Sequence, residues 1–207
     1  SGAYAARMGW WDRFRSSAPT EATTSAAPGW YAEPDGDSGR FVAADGGMPT
    51  LHLIRYRDSR GESVLRLCED ATGLLVGPTD RRLAPAGIYV SNLQGEAYHK
   101  AACKVGDFSP GATVRLKREP ENPHDPFAVA VTADEDDAKV AAYVNKQKAR
   151  TLSKLLDSGA VLRAVSLRGT GQRTPCQQIA ILAARPEVVA HLLSVRPRGL
   201  PKPAHER

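Results

Sequence analysis

Cysteine is scarce: Cys68, Cys103 and Cys176 are the three in 207 residues, and no two stand close in sequence. Their odd count argues against a disulfide framework, and no Cys-x-x-Cys or Cys/His spacing suits a structural zinc. Each is therefore expected to be a small buried hydrophobe. No apolar run approaches the roughly 18 residues that a membrane-spanning helix needs, and no secretory leader is visible, so the cytoplasm is the expected location. Catalytic signatures are missing too. There is no Gly-x-x-x-x-Gly-Lys-Ser/Thr phosphate loop and no Gly-x-Ser-x-Gly elbow. His52, His99, His124, His191 and His205 are scattered, without His-x-x-x-His spacing. His99 and Cys103 stand four apart, but a Cys–His nucleophile needs a mutual geometry that spacing alone does not give. The sequence is thus expected to be a non-enzyme with no metal or cofactor.

Aromatics are also few, at 6%, whereas Gly and Pro together number 33, so much of the chain is turn and loop. Hydrophobic residues make up 42%, enough for an ordinary core. The net charge of +5 is modest. It suits a protein that meets a few phosphates rather than one that coats long duplexes, and equally suits a normally soluble surface.

Along the chain, residues 1–28 read as a short helix and a flexible linker. Trp10, Trp11 and Phe14 share one face of that helix, either packed on the protein itself or offered to a partner or surface. Ser16 to Pro28 is rich in Ser, Thr, Ala and Pro. Residues 29–85 read as a small β-rich segment of unknown role. Within it Leu51–Tyr56 and Ser63–Leu67 form a hairpin around Asp58-Ser59-Arg60-Gly61. Residues 86–195 form the main unit, and 196–207 a tail. In the main unit, strands are expected at Ile88–Leu93, Thr113–Arg118, Phe127–Val131, Val140–Val144, Val161–Leu167 and Ile179–Ala183. The run Asp134-Glu135-Asp136-Asp137 is expected as an exposed hairpin tip. Asn145 stands at a helix N-cap, with Ala149, Leu152, Leu155 and Leu156 at helical spacing and Gly159 beyond the end. Pro186 opens a last helix. The fold class is α+β, mainly β: a small, partly open OB-like barrel with two or three helices, preceded by the β-rich segment.

The most informative stretch is Lys117-Arg118-Glu119-Pro120-Glu121-Asn122-Pro123-His124-Asp125-Pro126-Phe127-Ala128-Val129. Its prolines fix φ and bias their predecessors away from helix, giving a stiff loop between two strands. Asn122 and Asp125 can close turns onto their own backbone. On these grounds alone the stretch is either a well-built loop or the wall of a site.

The same stretch resembles the HIRAN family, whose pattern reads Arg-Glu/Asp-Pro-x-Asn-Pro-x-Asp followed by a small apolar strand. The likeness extends to Gly95-Glu96-Ala97-Tyr98-His99, to Lys139-Val140-Ala141-Ala142-Tyr143-Val144 and to the Leu-rich helix from about Lys146 to Asp157. The resemblance implies an OB-like barrel that binds single-stranded DNA or DNA 3′ ends, with a place in DNA repair at stalled forks or breaks. By position, Tyr98 and His99 would form an aromatic platform for terminal bases. Asn122, His124, Asp125 and Tyr143 would line the pocket, and Lys146 would hold a phosphate. The carboxylate of Asp125 would accept a hydrogen bond from a terminal hydroxyl and repel a phosphate, selecting ends by charge. Ala97 stands where an end-binding member has Arg, which removes a phosphate contact. His99 replaces a second Tyr, and Phe127 replaces a polar residue, both changing pocket shape. Some members carry an ATPase motor and a zinc module; neither signature is in this sequence. The alternative is a protein-interaction module without nucleic-acid binding, docking a partner through Trp10, Trp11, Trp30 and Tyr31.

Overall fold

The computed structural model describes residue 41 and residues 47–135, 138–174 and 178–204. The expected N-terminal helix, the linker, Trp30-Tyr31, Asp136-Asp137, Cys176 and His205 lie outside the described residues.

The first hairpin pairs β1 (Leu51–Arg57) with β2 (Ser63–Glu69), from Leu51 opposite Glu69 to Arg57 opposite Ser63. The turn closes because the Asp58 carboxylate accepts from the backbone N–H of Arg60 (2.9 Å) and of Glu62 (3.0 Å). Strand β3 (Leu75–Val76) completes a three-stranded sheet.

Six further strands follow: β4 (Tyr89–Gln94), β5 (Thr113–Arg118), β6 (Val129–Ala133), β7 (Ala142–Val144), β8 (Arg163–Arg168) and β9 (Ala180–Ala184). They form a closed antiparallel barrel in the order β4-β7-β6-β5-β8-β9. The barrel is closed rather than partly open because β9 pairs back with β4, Tyr89 opposite Ala183 through Asn92 opposite Ala180. Helix α1 (Lys100–Val105) follows β4, α2 (Lys146–Asp157) follows β7, and α3 (Pro186–Leu193) follows β9.

Alternation along the strands divides the core. Ile181 and Ala183 of β9 join a cluster with Leu93, Val114, Val131 and Val144 from other barrel strands and Leu152 of α2. Leu182 and Ala184 face the opposite way, into a cluster with Leu51, Leu67, Val165 and Val189. Burial on both faces explains why β9 is uniformly apolar instead of alternating. The three-stranded sheet therefore shares its core with the barrel strands and α3. The C-terminal segment is also tied down: Arg196 bonds the Asp70 carboxylate (3.2 Å), and Ala204 N–H donates to Gly73 O (2.9 Å). Gly73 must be glycine, since a Cβ there would lie 2.4 Å from the carbonyl oxygen of Lys202.

Local expectations are met unevenly. Asn145 caps α2, accepting from Lys148 N–H at 3.1 Å, and Gly159 follows with φ of 81°. Strand β6 begins at Val129 rather than Phe127, because Asp125 takes the N–H groups of both Phe127 (2.8 Å) and Ala128 (2.9 Å). Helix α1 is not foreshadowed by apolar periodicity: it has six residues and buries Cys103. The described half of the acidic run is not a bare solvated tip. Asp134 pairs with Arg115 (2.7 Å) and Glu135 accepts from Gln172 (2.7 Å). Cys68 and Cys103 are buried, as expected.

Candidate nucleic-acid interface

Barrel register brings three distant segments to one place. On β7, Tyr143 stands opposite Gln94 of β4 on one side and Ala130 of β6 on the other. The turn after β4, the Pro-rich loop before β6 and the junction of β7 with α2 consequently meet. They enclose an open groove of about 530 Å³, lined by Tyr98, His99, Asn122, His124, Asp125, Tyr143 and Lys146 together with Gln94, Gly95, Ala128 and Val144. Every site residue expected from the sequence is therefore in this groove.

Tyr98 ends a single 3-10 turn, Glu96–Tyr98, launched by Gly95 at φ of 92°. That left-handed angle suits glycine and turns the chain out of β4. Tyr98 is 91% exposed, a bare aromatic face at the groove. His99 is different: its ring packs against Tyr143, centroids 5.8 Å apart and tilted by 57°. Cys103 is buried, its thiol donating to Ala141 O at 3.3 Å.

The Pro-rich loop is held by its own side chains. Arg118 reaches over it to the carbonyls of Pro126 (2.6 Å) and Ala128 (3.2 Å), and to Asp157 of α2 (3.0 Å). Asn122 accepts from His124 N–H (3.0 Å) and donates to Glu119 (3.1 Å), so both ends of its amide are engaged within the loop. Glu119 also accepts from the Tyr143 hydroxyl (3.1 Å). Burial, and then the neighbouring Glu119 carboxylate, push the Tyr143 hydroxyl above its usual range. Glu119 is the element that reading the sequence missed; only its place in the Arg-Glu-Pro pattern marked it.

Asp125 is half-buried. One carboxylate oxygen takes the Phe127 N–H at 2.8 Å. The second makes no protein hydrogen bond among the described residues. His124 and Lys146 are exposed at the rim. Phe127, expected to reshape the pocket, does not line it; its ring lies instead beneath the guanidinium of Arg150, 4.9 Å away. Chemically, the groove offers a face for stacking, a carboxylate acceptor and a cation. Among the described residues no cluster of His, Cys, Asp and Glu is arranged to hold a metal, and no helix is long and apolar enough to cross a membrane.

The family model of the HIRAN domain matches residues 87–182. Residues 87–182 are a HIRAN domain. No curated protein matches the chain. Among solved structures, the HIRAN domain of human HLTF is 18% identical, over 51% of this chain and 83% of that one, with a TM-score of 0.38. A protein from Lactobacillus plantarum is 19% identical, over 46% of this chain and 92% of that one, with a TM-score of 0.35. The HIRAN match runs from just before β4 into β9, so the groove lies wholly inside it, whereas the three-stranded sheet and α3 lie outside. The match supports a nucleic-acid-binding module in general terms.

Proposed function

We propose that the chain binds single-stranded DNA, with its 3′-terminal nucleotide in the HIRAN groove, and acts by binding without turnover. One observation carries this reading: the bare ring of Tyr98, the half-buried carboxylate of Asp125 and the exposed ammonium of Lys146 line the same groove. A terminal base would stack on Tyr98, a mode worth roughly 1–3 kcal/mol per base and indifferent to sequence. Lys146 would meet the phosphate behind that base. The second oxygen of Asp125 would accept from a terminal hydroxyl, whereas a terminal phosphate would bring a second anion against the carboxylate.

The test is fluorescence anisotropy with labelled single strands ending in a 3′-hydroxyl or a 3′-phosphate. Tighter binding of the hydroxyl end is expected. Equal binding of both ends would remove end selection and leave general single-strand binding; binding of neither would remove the function. Cleavage products in a parallel incubation with divalent metal would contradict action without turnover.

A further inference from the structure

The groove ends at the first turn of α2, and a line of cations continues from there. Lys146, Arg150 and Lys154 recur every four residues, forming one exposed row that runs along the helix beside the buried Ala149 and Ser153. Each step along the row rises about 6 Å. That interval is comparable to the separation of successive phosphates on an extended single strand. Among the described residues none of the three is in an ion pair. Asp157 is the sole carboxylate of α2, and Arg118 holds it at 3.0 Å.

A helix face that merely needs solvation usually alternates charge signs, and a helix N-terminus favours carboxylates. The first turn of α2 has no acidic residue and carries Lys146 and Lys148 instead. Positive charge is thus concentrated where helix electrostatics disfavour it. Arg150 is also held in place. Its guanidinium lies over the ring of Phe127, 4.9 Å from the centroid, and Phe127 N–H is bonded to the Asp125 carboxylate at 2.8 Å. The loop that brings Asp125 to the groove therefore also positions the middle cation of the row.

We infer that Lys146, Arg150 and Lys154 form a phosphate track that leads a single strand out of the groove along α2, so that the site spans several nucleotides. This inference rests on the groove reading above and adds the path of the strand. The competing exit crosses α1, where Lys100 and Lys104 are also exposed. That pair is one cation shorter, and among the described residues no aromatic ring is stacked on either lysine.

Anisotropy on the full chain separates the two paths. The probes are single strands with a free 3′-hydroxyl, one of about three nucleotides and one of about eight, within the range of site sizes for such barrels. The wild type should bind the longer strand with the steeper salt dependence. Arg150→Ala combined with Lys154→Ala should lower the slope for the longer strand by about 1.4, or about 0.7 per phosphate lost, and leave the shorter strand unchanged. Both changes put a good helix former at an exposed position, and an unchanged circular dichroism spectrum would verify the fold. Lys100→Ala with Lys104→Ala should leave both slopes alone. Equal slopes for the two strands in the wild type, or a loss carried by the α1 pair, would overturn the track while the groove stands. Failure of the wild type to bind either strand would overturn both.

Discussion

The hydroxyl of Tyr143 donates to the carboxylate of Glu119 at 3.1 Å, joining the central strand of the groove to the Pro-rich loop beside it. Through this bond the barrel wall and the loop are one surface. Tyr143→Phe should destabilise the fold by about 1.5–3 kcal/mol, the usual range for a hydrogen bond to a charged group. Urea denaturation would measure it. The pH dependence has a definite sign. The Tyr143 hydroxyl titrates above its usual range in the folded state, so its stabilisation is complete below the ordinary tyrosine value and is lost as pH rises through the folded one. The gap in stability between wild type and Tyr143→Phe should therefore narrow in strong alkali.

Lys146 stands at the first position of α2, where the helix dipole opposes it. Lys146→Glu should raise stability by about 0.3–1 kcal/mol, since a carboxylate is favoured there. The same change should weaken binding to single-stranded DNA. A melting curve and a binding isotherm on one preparation would show the two effects with opposite sign.

Asp125→Asn isolates charge from shape. The asparagine oxygen can still accept the Phe127 N–H, so the loop should keep its form. Discrimination between 3′-hydroxyl and 3′-phosphate ends should shrink far more than total affinity. Unchanged discrimination would show that the carboxylate does not select the end.

Asp58 ties the tip of the β1–β2 hairpin to Arg168 of β8. Burial pushes its carboxyl up, but the N–H groups of Arg60 and Glu62 and the charge of Arg168 outweigh burial and hold it below the ordinary value of 3.8. Its contribution is therefore present above that value and lost as pH falls through the folded one. Asp58→Asn should destabilise the protein near neutrality and make its stability less sensitive to acid. Denaturation at neutral pH and at about pH 3 would check this.

How much of this could be read in advance depends on the range of the interaction responsible. Helix α2 was legible because its signals are local: Asn145 at the cap, the Ala149 and Leu152 spacing, and Gly159 at the end. The groove residues were legible because the Pro-rich pattern and its flanking segments resemble a family. Closure of the barrel was not legible, since the pairing of β4 with β9 joins residues some 90 apart by backbone bonds that leave no side-chain pattern. The shared core of the three-stranded sheet was hidden for a related reason. Alternation along β9 reveals burial on two faces but not what covers each face. Phe127 read as a pocket residue, and only its contact with Arg150 shows where the ring lies.

Tyr98 gives the most direct test of the groove. Its ring is 91% exposed and its truncation leaves the core intact. Titration of wild type and Tyr98→Ala with a 3′-hydroxyl single strand should show a loss of roughly 1–3 kcal/mol, or about 5- to 150-fold in affinity. Equal affinity in the two proteins would contradict the account, because no base would then be stacking on the bare ring of Tyr98.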